Sequence, residues 1–418
     1  MRLMRSIFVA AVAASALTAC TSSTDGSQAQ QPVISALPRA LSGDEQIAAT
    51  ATTDFGLALF RAVNARTARD SNLSLSPISA SLALGMLMNG AEGETLDQVR
   101  RTVGFGSREV TQVNAAYKAL IPLLTTLDPS VKMAFANAAW FDLSAAPATG
   151  FSQRLTDVFG AAVSSAKLVD PATMAAINRW VSNATNARIP SIVDEFNDSD
   201  VAFLVNATYF KGKWRAQFDA AQTRPADFRL ATGAVVQLPT MSNQTGLVRL
   251  GGLPDGTVIG ELPFGGDAFA MSIVVPPAGR LESMIDSLTP ARWQAMTAAL
   301  PAAVATMPVR LPKFRIENRR ELKRELAALG MPRAFQDAQL APMFASPTSR
   351  LAVTSVLQKV FVDVNEEGAE AAAATGIIVG RTSVPTGLVV DKPFFFAIRE
   401  RLSGTILFLG KVVRPVAP

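Results

Sequence analysis

The chain has 418 residues, 49% of them hydrophobic, and 39 Lys and Arg against 34 Asp and Glu give a net charge of +5. That is enough apolar material for one large core, and no Pro/Gly/Ser-rich linker follows residue 45, so one domain is expected rather than two. There is no histidine and one cysteine, which excludes Ser-His-Asp and Cys-His catalysis and nearly every zinc site.

In chain order, Met1 to Arg5 is basic, and Ile7 to Leu17 is an apolar run too short to span a bilayer as a mature helix. Thr21 to about Gln31 is polar and low in complexity, which predicts a flexible tether. Ile47 to about Ala65 reads as the first helix and Ser79 to Asn89 as a buried, nearly all-apolar one. Met174, Ile177, Val181 and Ala184 repeat at helical spacing. Phe203 to Phe210, Ala270 to Val275 and Ile406 to Leu409 are β-type runs. Ser164-Ser-Ala-Lys167 matches the Ser-x-x-Lys pattern of penicillin-binding enzymes, but the partner Ser-Asp-Asn and Lys-Thr-Gly motifs are missing.

Further on, Val309 and Leu311 face one way in a strand interrupted by Pro312. Asn318 is predicted to cap a helix, with Glu321 at capping-box spacing, Leu322, Leu326 and Leu329 as its buried stripe and Gly330 as its stop. Arg319, Arg320, Lys323 and Arg324 form the one dense basic group, which reads as a solvated face of that helix rather than a polyanion or nucleic-acid site. Helices and strands come in mixed order without βαβ regularity, which predicts an α+β fold with a large, mostly antiparallel sheet.

The most informative segment is Glu366 to Ala374, Glu-Glu-Gly-Ala-Glu-Ala-Ala-Ala-Ala. By composition alone it is a helix. Its context reverses that reading, because it follows the alternating Val360, Val362 and Val364 and ends in a Gly, Val and Pro-rich stretch without a helix cap. As a strand, one face carries Ala369, Ala371, Ala373, Thr375, Ile377 and Val379, the other Glu370, Ala372, Ala374, Gly376, Ile378 and Gly380. The first face is small, apolar and uncharged, as a slot over a packed core requires.

Nine short blocks then occur in a telling order: Asn72 to Ser79, Gly90 to Thr95, Asn137 to Phe141, Ile177 to Val181, Leu204 to Trp214, Glu261 to Phe264, Leu311 to Phe314, the loop above, and Asp391 to Phe394 with Phe408 to Lys411. The chain resembles the serpin family from about residue 46 to residue 415. The resemblance implies a single serpin-like domain over 46–418, with a large sheet, smaller sheets, about eight or nine helices and an exposed reactive loop near the C-terminus.

It also implies a suicide-substrate inhibitor of serine peptidases rather than an enzyme. The loop is attacked, an acyl bond forms, and the cut loop inserts into the sheet before water can hydrolyse that bond. About fourteen inserted residues at roughly 0.5–1.5 kcal/mol per hydrogen bond give on the order of 10 kcal/mol, comparable to the stability of a whole domain. An inserted strand of that length spans roughly 45 Å, and the native state must be held by a kinetic barrier. Glu366, Glu367 and Gly368 fit the family's hinge, as do Ala371, Ala372, Ala373 and Ala374, while Ala369 replaces the usual Thr or Ser. The family's spacing sets cleavage at Thr382–Ser383, for elastase-like peptidases. The adjacent Arg381–Thr382 is the alternative, for trypsin-like ones. Ser76, Ser79, Asn206 and Trp214 resemble the gate of the sheet, with Gln358 where the family often has histidine. A non-inhibitory serpin, acting as carrier, chaperone or plain substrate, is the second reading.

Leu17-Thr-Ala-Cys20 resembles a bacterial lipobox. It implies a lipoprotein signal peptide over 1–19, a lipid on Cys20, and a lipidated polar tether over 20–45. With Thr21 in place of Asp, an outer-membrane location is expected, facing the periplasm or exposed at the surface. A monomer is expected, with no cofactor, metal or nucleic acid. Its partner is a serine peptidase held covalently, and a cysteine peptidase is also compatible.

Overall fold

The computed structural model describes residues 32–346, 351–369 and 387–417. Nine α-helices are present among the described residues. Gly43–Asn64 opens the set with a capping box, in which Ser42 accepts from the Glu45 N–H and Glu45 reaches back to the Ser42 N–H. The Ile34 N–H donates to the Gly266 carbonyl at 2.7 Å, and Ile34, Leu37 and Leu41 pack on the core. Pro77–Met88 is buried all round, as its composition demands, with Ser76 as its N-cap.

One sheet has nine strands. Its path runs Leu73–Leu75, Ile406–Val412, Phe394–Glu400, Phe269–Val275, Val258–Phe264, Val235–Gly252, Ala305–Pro312 and Leu388–Val389, with Arg224–Arg229 pairing Val235–Gly252 off that path. The last long strands of the chain lie inside this sheet and are almost wholly buried, which explains their unbroken apolar sequences. Beneath its Phe264–Asp267 turn, Arg249 holds Asp267 in a two-bond grip at 2.9 and 2.5 Å, and Arg399 and Arg401 hold Glu261 at 2.6 and 3.0 Å. Every charge in this buried group has a partner of opposite sign, the condition under which burial of charge is tolerated.

The second sheet has six strands, in the order Phe314–Glu321, Leu357–Val364, Gly368–Ala369, Ala202–Lys213, Val131–Phe141 and Ala162–Ser165. Only the last pair is parallel. One face lies on the main core through Val360, Val362, Phe210 and Leu204. The other, through Val205, Ala207, Phe203 and Phe361, packs under the helix Pro171–Ala184.

The local reading around Asn318 is overturned. Phe314–Glu321 is an edge strand, and its side chains pair across to the next strand, Arg315 with Asp363 at 2.7 Å and Glu317 with Lys359 at 3.0 Å. Asn318 is the acceptor for the Ser74 N–H at 2.6 Å. The helix is the shorter Lys323–Ala328, with Leu322 and Leu326 buried and Gly330 just past its end. Arg319 and Arg320 therefore belong to a strand while Lys323 and Arg324 belong to a helix, so the four do not share one helical face. Cross-strand partners available only in the folded sheet outweighed the local cap signal.

Candidate functional site

The site is the place where the six-stranded sheet is incomplete. Strands Leu357–Val364 and Ala202–Lys213 each run antiparallel to Gly368–Ala369, hence parallel to each other, and among the described residues no ladder joins them directly. Two described residues bridge them, with Ala369 opposite Gly212 and Val364, and Gly368 opposite Lys213. Below that bridge the gap opens into a small cavity of about 30 Å³ between Thr208, Phe210 and Phe361, Val362. Nearer the other end lies a cavity of about 420 Å³ between Leu204, Asn206 and Leu357, Gln358, floored by Leu84 and Phe344.

A tight turn closes the upper end of this slot. The Asn365 N–H donates to the Gly368 carbonyl at 3.0 Å, and the Gly368 N–H donates back at 3.2 Å. Gly368 has φ +152°, and a Cβ there would lie 2.0 Å from the Gly212 carbonyl oxygen, so only glycine fits. Trp214 holds the turn twice, its indole N–H donating to the Asn365 carbonyl at 2.8 Å and its backbone N–H to that of Glu367 at 2.6 Å. Its ring is in turn fixed by stacking on Phe264 at 4.5 Å.

Glu366 is pinned by the Thr223 hydroxyl at 2.7 Å and the Lys313 ammonium at 3.0 Å. Burial by itself would raise its pKa, but those two donors outweigh it and hold the carboxyl below the ordinary glutamate value. Glu367 is buried, and among the described residues its Oε1 has no hydrogen-bond partner.

Midway down, Gln358 clamps the start of helix Pro77–Met88. Its Oε1 accepts from the Ser76 N–H at 3.1 Å and its Nε2 donates to the Ser76 carbonyl at 2.8 Å. The Ser76 hydroxyl donates to the Leu407 carbonyl at 2.8 Å and accepts from the Ser79 N–H at 3.4 Å. Ser76, Ser79 and Gln358 thus form one cluster. Asn206 belongs to another, donating to Asn137 Oδ1 at 2.7 Å and accepting from Thr208 at 3.0 Å, although Ser79, Asn206 and Gln358 all line the larger cavity. Trp214 belongs to the turn and not to this gate.

Asn137, Thr223, Lys313 and Phe264 are site residues that sequence reasoning did not single out. Three of them stand inside blocks already quoted, Asn137 to Phe141, Leu311 to Phe314 and Glu261 to Phe264, but their contacts cross between elements and carry no local signal. The expectations for Cys20, Ala371, Ala372, Ala373, Ala374, Arg381, Thr382 and Ser383 lie outside the described residues.

A sheet with a strand-wide slot, primed at one end by a glycine turn, is the architecture that the family resemblance implied. The family model described as Serpin (serine protease inhibitor) matches residues 50–415. The chain is a serpin. It is similar to neuroserpin of Homo sapiens, 32% identical over 382 residues that cover 87% of this chain and 91% of that protein. It is similar to serine protease inhibitor 42Dd of Drosophila melanogaster, 33% identical with 83% and 92% covered. Among solved structures, the thermophilic serpin tengpin in its native state is matched with a TM-score of 0.78 at 25% identity, covering 92% of this chain and 97% of that one. Human thyroxine-binding globulin complexed with thyroxine shares the fold, with a TM-score of 0.81 at 23% identity and coverage of 90% and 100%. Serpins are generally inhibitors that bind target proteases rather than catalytic enzymes.

Proposed function

We propose that this serpin is a suicide-substrate inhibitor of serine peptidases, elastase-like or trypsin-like, which traps the acyl-enzyme by inserting its cut loop into the six-stranded sheet. The open slot with Gly368–Ala369 already paired at its upper end is the observation that carries this reading. Extended downward in the inserted state, the same register would bring Ala371 level with Phe210 and Val362, Thr375 level with Asn206 and Gln358, and Val379 level with Ala202. Ala371, Ala373, Thr375 and Ile377 would then face the main core, and Ala372, Ala374 and Gly376 the helix. About ten newly paired residues at about 0.5–1.5 kcal/mol each supply on the order of 10 kcal/mol. A slot left unfilled in the native state forgoes that energy until the loop is cut, so the native state is kinetically held.

The scissile bond is Thr382–Ser383 or, one residue earlier, Arg381–Thr382. We also propose that residues 1–19 are removed as a lipoprotein signal peptide and that Cys20 carries the lipid. The serpin domain would then work as a monomer at the outer membrane, in the periplasm or at the surface, against a serine peptidase or a cysteine peptidase.

Mixing the domain with pancreatic elastase and with trypsin, boiling in SDS and running a gel tests the inhibitory reading. A covalent band near the summed masses is expected, and the sequence of the released C-terminal peptide identifies the bond. Cleavage by both enzymes with no such band would favour the non-inhibitory carrier, chaperone or substrate reading.

A further inference from the structure

We infer that Lys211 and Lys132 form a receptor for the Glu370 carboxylate, which locks the first inserting residues of the loop into the slot. The inference rests on the insertion reading above and names the charged side chains that position the strand as it enters.

The two lysines stand directly opposite each other in the ladder between Ala202–Lys213 and Val131–Phe141. Opposed residues share a face, and like charges so placed disfavour the pairing. That face is the outer one, because their sequence neighbours Val131, Met133 and Phe210 turn to the main core. Lys213 follows two residues on, exposed and on the same face. Neither strand contains an acidic residue anywhere along its length, so this wall of the slot carries positive charge alone. The opposite wall carries both signs, Arg315 with Asp363 at 2.7 Å and Lys359 with Glu317 at 3.0 Å.

The loop carries the complementary charge at one place. Glu370 is the single charged residue between Ala369 and Gly380. In the inserted state, the register that pairs Ala369 with Gly212 and Val364 would bring Glu370 level with Lys211 on one side and Asp363 on the other. Its side chain would face outward, as those of Ala372 and Ala374 would. The row across the sheet would then read Lys132, Lys211, Glu370, Asp363, Arg315, with a cation beside each carboxylate. A carboxylate one position away, at 369 or 371, would point into the core unpaired. At 372 it would lie between Tyr209 and Phe361, out of line with the lysines. Position 370 is therefore where a negative charge favours entry instead of obstructing it.

The test follows uptake of a synthetic acetylated peptide with the sequence of residues 369–380 by the whole protein, read by gel shift, with no peptidase present. A peptide carrying Glu370→Gln is expected to enter wild type about 2- to 10-fold more slowly, since each exposed ion pair is worth up to about fivefold and two lysines take part. Lys211→Gln and Lys132→Gln are expected to slow the natural peptide and to leave entry of the Glu370→Gln peptide within about twofold of wild type. Exchanging the charges is the readout that a purely structural role would not move. A Glu370→Lys peptide is expected to enter the Lys211→Glu protein faster than it enters wild type, and faster than the natural peptide enters that variant. Raising sodium chloride from about 0.05 M to about 0.5 M should slow the natural peptide and spare the Glu370→Gln peptide. Lys118→Gln removes an exposed lysine of helix Val110–Thr126 that lines neither cavity of the slot, and should match wild type within about twofold. Equal rates for the natural and Glu370→Gln peptides, or no gain in the exchanged pair, overturn the lock alone. Absence of uptake in every combination, wild type included, overturns the insertion reading and the lock with it.

Discussion

The Glu366 carboxylate sits 3.0 Å from the Lys313 ammonium, and this contact ties the turn that begins the hinge to the end of a strand in the other sheet. Both side chains are largely screened from water, 13% and 25% exposed, so the pair is worth more than a surface ion pair. Glu366→Lys replaces it with two like charges and also removes the acceptor of the Thr223 hydroxyl. It is expected to destabilise the native state by about 1–3 kcal/mol, read as a lower urea midpoint, with partial recovery when Lys313→Glu is added. An unchanged midpoint would show that the contact is incidental.

The second prediction concerns Gly368. Any side chain meets the Gly212 carbonyl, and φ +152° is unfavourable for other residues. Gly368→Ala is expected to expel the two-residue strand and to cost on the order of 1–3 kcal/mol. Amide hydrogen exchange at Trp214, whose N–H donates to the Glu367 carbonyl, should rise strongly, and protection equal to wild type would contradict the reading of the turn.

Acidity should act on the hinge but not through a neutral-pH switch. The chain has no histidine, and Gln358, Ser76, Ser79 and Asn206 around the slot do not titrate. Uptake of a synthetic peptide with the sequence of residues 369–380 into the slot, read by gel shift, is therefore expected to be flat between about pH 6 and pH 8. A midpoint near 6.5 in that uptake would sink this expectation. The Glu366 pKa is lowered in the fold from its ordinary 4.5. Its stabilisation is thus present above the unfolded value and is lost as pH falls through the lower folded value. Melting curves below about pH 4.5 should show this loss in wild type and a smaller one in Glu366→Gln.

In the proposed inserted state, the register of Gly368–Ala369 carried down the slot would bring Thr375 between Asn206 and Gln358. Thr375→Arg would bury an unpaired charge beside the core. It is expected to convert the inhibitor into a substrate, with loop cleavage at a normal rate and covalent complex reduced at least about tenfold on the SDS gel. Undiminished complex would mean that the loop does not pass this level.

Much of the fold was legible in the sequence because its signals are local. The nearly unbroken apolar run Pro77–Met88, the buried strands Phe269–Val275 and Ile406–Val412, and the alternation of Val360, Val362 and Val364 all lie where their patterns required. Asn318 was misread for the opposite reason. Its spacing to Glu321 satisfied a cap, but an edge strand with charged partners on Leu357–Val364 bound it more strongly.

What the sequence determined by itself was composition-level chemistry and order. It has no histidine for catalysis, it carries nine motif blocks in serpin sequence, and its Glu-Glu-Gly-Ala segment is suited to becoming a strand. The tertiary structure alone decided that Gly368–Ala369 is already paired, and that Asn206 bonds to Asn137 while Gln358 bonds to Ser76. Those facts depend on contacts between residues up to 282 positions apart. Such distances in sequence are set by how two sheets and a helix close on one core, and no local pattern encodes them.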